Sequence, residues 1–298
     1  MTSYNQINKY HSILLFLLSF FFLILNIDIQ TKSTAIICFF LIATIGVSHG
    51  SLDHVKGAKL FKIFRIKNKL LFYLIYIFIS FIIVCSWLVL PFFMLTIFLI
   101  VASYHFGKED SVFGVIQKFK LSSLFLLLKG SLVISAPLYF HAYETIQIFR
   151  VLDVNFNQYN NNLIVILMAL SLFSNFFINK NIFLSLLDSL SIIIININFE
   201  PLLAFTIYFC FLHSVRHSLS LIKDINSKNL KKGLIVFLKK ALPLTIITAL
   251  GFLIAVFILN KYYQLNSAIL QVIFIGLASL TFPHILLEYL LEKNEKRT

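Results

Sequence analysis

LLFYLIYIFISFIIVCSWLVL, residues 70–90, decides the fold class. It holds no charged residue from end to end. An α-helix of roughly 20 apolar residues crosses the ~30 Å hydrocarbon core of a bilayer. Lipid offers no hydrogen bonds, so the backbone of such a stretch must pair within itself, as a helix does. Just upstream stand Lys56, Lys59, Lys62, Arg65, Lys67 and Lys69; just downstream begins a second apolar run at 91–107.

The same alternation of apolar run and basic loop fills the chain. Candidate spans lie near 10–28, 33–50, 70–90, 91–107, 121–141, 162–178, 182–198, 201–222, 237–259 and 267–290. The sixth and seventh are short, joined by Asn179, Lys180 and Asn181. The 298 residues are 59% hydrophobic and 12% charged, with a mean hydropathy of +0.92. These values exclude a soluble domain and predict an all-α, polytopic membrane bundle of about ten transmembrane helices, a single unit over 1–298. The first run is long enough to span and lacks the basic start and small-residue cleavage site of a signal peptide. The net charge of +13 points to membrane topology rather than to nucleic acid. Basic residues gather in 51–69, in 108–120 (Lys108, Lys118, Lys120), in 223–240 and in the tail (Lys293, Lys296, Arg297). With ten spans all of these fall on one side, and the positive-inside rule makes that side, and both termini, cytoplasmic. Cys38, Cys85 and Cys210 sit inside apolar runs, as neither a disulfide framework nor a thiolate metal site.

The eight histidines are unevenly placed on that topology. His49 ends the second span and His105 the fourth, both on the expected cytoplasmic side. His213 and His217 lie in the cytoplasmic half of the eighth span, His284 in that of the tenth, and His54 just beyond the second. His141 maps to the opposite face and His11 to the start of the first span; both read as interfacial. Intramembrane ionisable residues are costly and face the interior with a partner. His213 and His217, at i and i+4, leave one helix face as a chelating pair. His49 with Asp53 and His284 with Glu288 repeat the spacing, and a carboxylate one turn away can orient a ligating ring. Two readings compete. A lone membrane histidine more often bonds across helices than binds metal; the shared depth of four separate groups favours metal. Neutral imidazole suits iron, zinc or copper, and the absence of nearby thiolate argues against structural zinc or an iron–sulfur cluster. Arg216 either snorkels to the headgroups or neutralises Asp53, Asp110 or Glu288. Solvated loop charge is one reading of Glu109 and Asp110, and the Phe-rich stripes read as lipid-facing surface.

Five stretches occur in order: HGSLDH at 49–54, YHFGKED at 104–110, KGSLVISAPLYFH at 129–141, HSVRH at 213–217 and FPHILLE at 282–288. The set resembles the Brp/Blh family of bacterial and archaeal β-carotene 15,15′-dioxygenases, over about residues 49–288. The resemblance implies an integral membrane, non-haem Fe(II) enzyme that cleaves the central double bond of β-carotene with O2 to give two molecules of retinal. Carried over by motif, His49, His105, His213 and His217 are the implied iron ligands. Asp53, His54, Asp110 and His284 also match motif positions; Asp53 is expected to orient a ligand, and His54, Asp110, His284 and Glu288 to stand behind the ligands. Tyr104, Phe106 and Phe282 are expected to line a carotenoid tunnel, with core packing as the alternative. The implied setting is the inner (plasma) membrane, crossed several times, with retinal passed to a rhodopsin-type protein.

Rival readings are weaker on the residues. Membrane diiron desaturases carry adjacent histidine pairs, and a zincin carries HExxH on a helix; neither occurs here. A transporter or channel would use intramembrane histidines as a relay or gate, and commonly shows repeated halves, which are not evident. A non-cleaving role in assembling retinal proteins is a third alternative.

Overall fold

With no water to satisfy an open backbone in lipid, the chain answers with helices almost throughout. The computed structural model describes residues 3–25, 33–114, 121–156, 160–178 and 180–295, and among these no strand occurs. Lys118, Lys120, Asn179, Lys296, Arg297 and the end of the first expected span lie outside them. Nine described helices are long and apolar enough to cross a membrane: Tyr4–Leu25, Thr34–Ile63, Leu70–Val89, Pro91–Glu109, Ser122–Phe140, Asn161–Ile178, Pro201–Ile225, Leu230–Leu259 and Leu265–Asn294. Ile182–Asn198 is a shorter apolar helix and occupies the seventh expected span. Numbered in chain order, these are spans one to ten.

The basic stretches are more helical than the alternation of runs and loops predicts. The second span continues through Lys56, Lys59 and Lys62, and the ninth begins before Lys231. Long basic side chains can lie along a helix end and keep their charge at the interface, so a Lys-rich stretch need not break the helix. The segment between the fifth and sixth expected spans likewise holds a helix, Ala142–Val151.

The seventh span is short because it is polar and interior. Its Ser185, Asp188, Ser189, Ser191 and Asn196 are buried. Ser185 donates to the Asn175 side-chain oxygen at 2.6 Å, and Asn175 donates to Ser189 Oγ at 3.1 Å, tying the seventh span to the sixth. Asp188 receives both terminal nitrogens of Arg216 at 2.7 Å, and Arg216 also donates to Ser12 Oγ at 2.6 Å, which links the first, seventh and eighth spans. Arg216 is fully buried, so it neither snorkels nor neutralises Asp53, Asp110 or Glu288 by direct contact. A guanidinium is stable there only because a bidentate carboxylate and a hydroxyl meet it. Conversely, large apolar side chains such as Leu74, Phe78, Phe81, Leu250, Ile254 and Phe257 on the third and ninth spans are exposed, a surface suited to lipid.

Glycine permits a close helix contact. A Cβ at Gly130 would lie 1.8 Å from the Ser103 carbonyl, and one at Gly107 1.8 Å from the Leu126 carbonyl. Small residues at both positions let the fourth and fifth spans touch backbone to backbone. His105 is two residues from Gly107 and is placed by that contact.

Candidate functional site

The histidine-bearing segments of the second and eighth spans meet where the helices are least regular. In the second span, π-helical Ile42–Gly46 is followed by 3₁₀ turn Ser48–Leu52 before the α-helix Asp53–Ile63. In the eighth, π-helical Tyr208–Ser214 contains His213. Such widened turns re-aim side chains and are frequent at functional sites. The two turns pack on each other: Ser214 donates to the Gly46 carbonyl at 2.8 Å, and a Cβ on Gly46 would lie 2.7 Å from the Phe209 ring.

Five imidazoles converge there. Ring centres run His49 to His213 5.3 Å, His213 to His105 5.2 Å, His105 to His284 5.2 Å, and His284 back to His49 5.7 Å. His217 sits 4.9 Å from His49 and 5.6 Å from His284. All five are buried. With a metal–nitrogen bond of 2.0–2.1 Å, imidazoles around one ion have ring centres roughly 4.5–6.5 Å apart.

Four of the five outer nitrogens meet an acceptor, and the fifth, His105 Nδ1, lies 3.9 Å from Glu288 Oε2. The Ser214 hydroxyl spends its proton on Gly46, so at 3.2 Å it accepts from His49 Nδ1. His213 Nδ1 donates to Asp110 Oδ1 at 3.1 Å, and His217 Nδ1 to Glu109 Oε2 at 2.9 Å. His284 Nδ1 lies 2.8 and 2.9 Å from the two Asp53 oxygens. Each outer acceptor fixes a tautomer that carries its proton on Nδ1 and leaves the Nε2 lone pair free. The Nε2 atoms of His213, His217 and His284 are buried and have no hydrogen-bond partner. Orphaned buried polar atoms of one kind, turned to one place, are costly unless something meets them there. The donor set therefore fits a metal ion that accepts neutral nitrogen. His49, His105 and His284 each offer a nitrogen within 4.8 Å of the others, as His217 and His284 do with a Glu288 oxygen.

Several expectations change. Asp53 meets His284 rather than His49, because the 3₁₀ turn Ser48–Leu52 breaks the one-turn α-helical spacing assumed between residues 49 and 53. Glu288 Oε1 stands 3.6 Å from His284 Nε2, 3.7 Å from His217 Nε2 and 2.5 Å from Lys56 Nζ, so it faces the inner nitrogens, not His284 Nδ1. Glu109 and Asp110 are not solvated loop charges: each accepts from a clustered histidine, and Tyr208 donates to Asp110 Oδ2 at 2.6 Å. His54 Nδ1 lies 2.8 Å from the Ser51 carbonyl, and His54 borders the cavity described next. Sequence reasoning passed over Asp188, Lys129, Tyr76 and Ser214. The first two carried a signal, as charges inside expected spans; the hydroxyl groups carried none.

A cavity of about 330 Å³ reaches the cluster. His49, His105, His213 and His284, with Asp53 and Tyr76, are among its polar lining, and Phe72, Ile77, Phe106, Phe209, Ile247 and Leu277 part of its apolar wall. Tyr104 and Phe282 are not among its lining residues. Ile77 and Ile247, on the third and ninth spans, line it while 64% and 63% exposed, so it opens sideways between those helices.

Fold and site together define a polytopic helical membrane protein with a buried imidazole cluster at the end of a lipid-side apolar cavity. Residues 40–292 match the model of the family described as Beta-carotene 15,15'-dioxygenase. A relative of that name from uncultured marine bacterium 66A03 is 30% identical over 280 residues, covering 86% of this chain and 94% of the relative. This chain belongs to the beta-carotene 15,15'-dioxygenase family and is an enzyme. No solved structure matches it.

Proposed function

We propose that this enzyme cleaves the central 15,15′ double bond of β-carotene with O2, giving two molecules of retinal, at Fe(II) held by His49, His105, His213 and His217. The observation that carries the reading is the set of inward, unpartnered imidazole nitrogens at the polar end of an apolar cavity. Bound iron would supply the redox chemistry that lets O2 react with an alkene. One carbon–carbon double bond breaks, two carbonyl bonds form and one O2 is consumed. No proton enters or leaves, which accords with a cavity whose carboxylate, Asp53, is already bonded to His284 and Tyr76.

The chain's own groups do the rest. Glu109, Asp110 and Ser214 hold His217, His213 and His49 by their Nδ1 protons, so the rings do not reorient when substrate arrives. Phe106, Phe209 and Leu277 border the histidines and exclude water. The substrate is almost pure hydrocarbon and dissolved in lipid, and the sideways opening between the third and ninth spans gives it a path that never crosses water. Retinal leaves the same way and is available in the bilayer to a rhodopsin-type acceptor. The membrane is the inner (plasma) membrane, with the Lys-rich helix ends on its cytoplasmic side.

The test is expression in a bacterial host that accumulates β-carotene, with pigment extraction and chromatography. Wild-type protein converts the pigment to retinal, and His217→Ala leaves it intact with the variant still folded in the membrane. Retained β-carotene in iron-replete cells containing well-expressed wild-type protein would overturn the reading and favour a non-cleaving role.

A further inference from the structure

We infer that His284 is itself a metal ligand, a fifth imidazole beside the four of the proposed site, positioned by Asp53 and Tyr76. The inference rests on the proposed metal-dependent reading and deepens it. His284 would be a bystander if its nitrogens were used up in bonds to neighbours, or if its ring stood behind another. Neither holds. Its Nδ1 is turned outward to Asp53, while its Nε2 is buried, makes no hydrogen bond and faces the side of the other imidazoles, with Glu288 Oε1 3.6 Å away. In the ring of four it stands between His105 and His49, at spacings like those around His213.

The support behind it repeats the support behind His213. Tyr208 donates to one Asp110 oxygen and His213 Nδ1 to the other. Tyr76 donates to Asp53 Oδ2 at 2.8 Å, and His284 Nδ1 reaches the same carboxylate. Each tyrosine uses up acceptor capacity that would otherwise let the carboxylate rotate, so the imidazole meets a fixed acceptor. The two relays come from different segments, the third and second spans for His284 and the eighth span and the C-cap of the fourth for His213. A histidine needed only for packing would gain nothing from a buried carboxylate and a half-buried tyrosine hydroxyl, groups that are costly to bury unless paired. Tyr76 also lines the cavity, so the relay that positions His284 forms part of the substrate wall.

The experiment uses the full chain in detergent micelles, freed of metal and titrated with Co(II), whose ligand-field absorption reports the ligands directly. His284→Ala and His284→Gln are compared with wild type, His49→Ala and Tyr76→Phe; the glutamine variant keeps a donor for Asp53 should alanine prevent folding. The expected result for both His284 variants is an altered Co(II) spectrum, as for His49→Ala, with affinity lowered ~100-fold or more. Tyr76→Phe keeps the wild-type spectrum and loses about tenfold in affinity, the size expected of an outer partner. A wild-type spectrum in the His284 variants, whatever their affinity, overturns the assignment and leaves His284 a positioning residue. Failure of wild type itself to bind Co(II) or iron overturns the functional reading along with it, whereas metal binding by wild type and its loss in His49→Ala, with His284 variants unchanged, sinks this inference alone.

Discussion

A histidine buried in a membrane has two nitrogens to satisfy, and here the outer one reveals the purpose of the inner one. Asp110, Glu109, Asp53 and Ser214 each take an Nδ1 proton, and three Nε2 atoms are left bare in the interior. The metal reading therefore predicts graded effects. Asp110→Asn keeps an acceptor for His213 but removes the charge that favours a proton on Nδ1, and iron affinity falls about 10–100-fold, as measured by competition with a chelator of known strength. Retinal formation in that variant recovers at high iron, because the carboxylate acts through His213 and does not touch substrate. At this scale the sequence was only half legible. His49, His105, His213 and His217 share an expected depth and do come together, but pairing Asp53 with His49 assumed a regular helix between them.

Helix by helix, geometry depends on a few contacts that a hydropathy pattern does not encode. Gly130→Ala places a methyl group 1.8 Å from the Ser103 carbonyl, and no flexible side chain stands there to give way. The fourth and fifth spans must separate and His105 moves with them. Folded yield and melting temperature fall, and so does iron content per folded molecule. The buried Asp188–Arg216 pair makes a different prediction. Asp188→Ala leaves a guanidinium uncompensated in the interior and costs about 3–5 kcal/mol, readable as a lowered denaturation midpoint in micelles. The cost falls on stability, since Asp188 lies off the substrate cavity. The spans themselves were legible because roughly 20 apolar residues admit little else. The exception is instructive: the seventh, at 17 residues, is short because interior polar partners replace part of its apolar requirement.

Across the whole molecule the proposed ligands come from the second, fourth and eighth spans, with His284 from the tenth. An ion binding all of them ties the bundle together, so stripping the metal lowers the melting temperature by mass action and restoring iron recovers it. The sideways cavity mouth makes a separate prediction. Ile247→Trp narrows the opening between the third and ninth spans while leaving the histidines untouched. For cleavage of β-carotene, kcat/KM falls at least several-fold with iron content unchanged; an unaltered rate would place substrate entry elsewhere.

By itself the sequence determined that this is a helical membrane protein, roughly where its spans run, and which histidines lie at one depth. Those properties follow from the cost of exposing polar backbone and charge to lipid, a cost read residue by residue along the chain. Only the tertiary structure decided which histidine faces which carboxylate, that Arg216 belongs to Asp188, that Glu109 and Asp110 turn inward, and that His284 stands in the ring. Those properties depend on helix rotation and on two π-helical turns, each set by packing between segments more than a hundred residues apart, as where Gly46 meets Ser214 across 168 positions. Periodicity within one helix carries no record of such a contact.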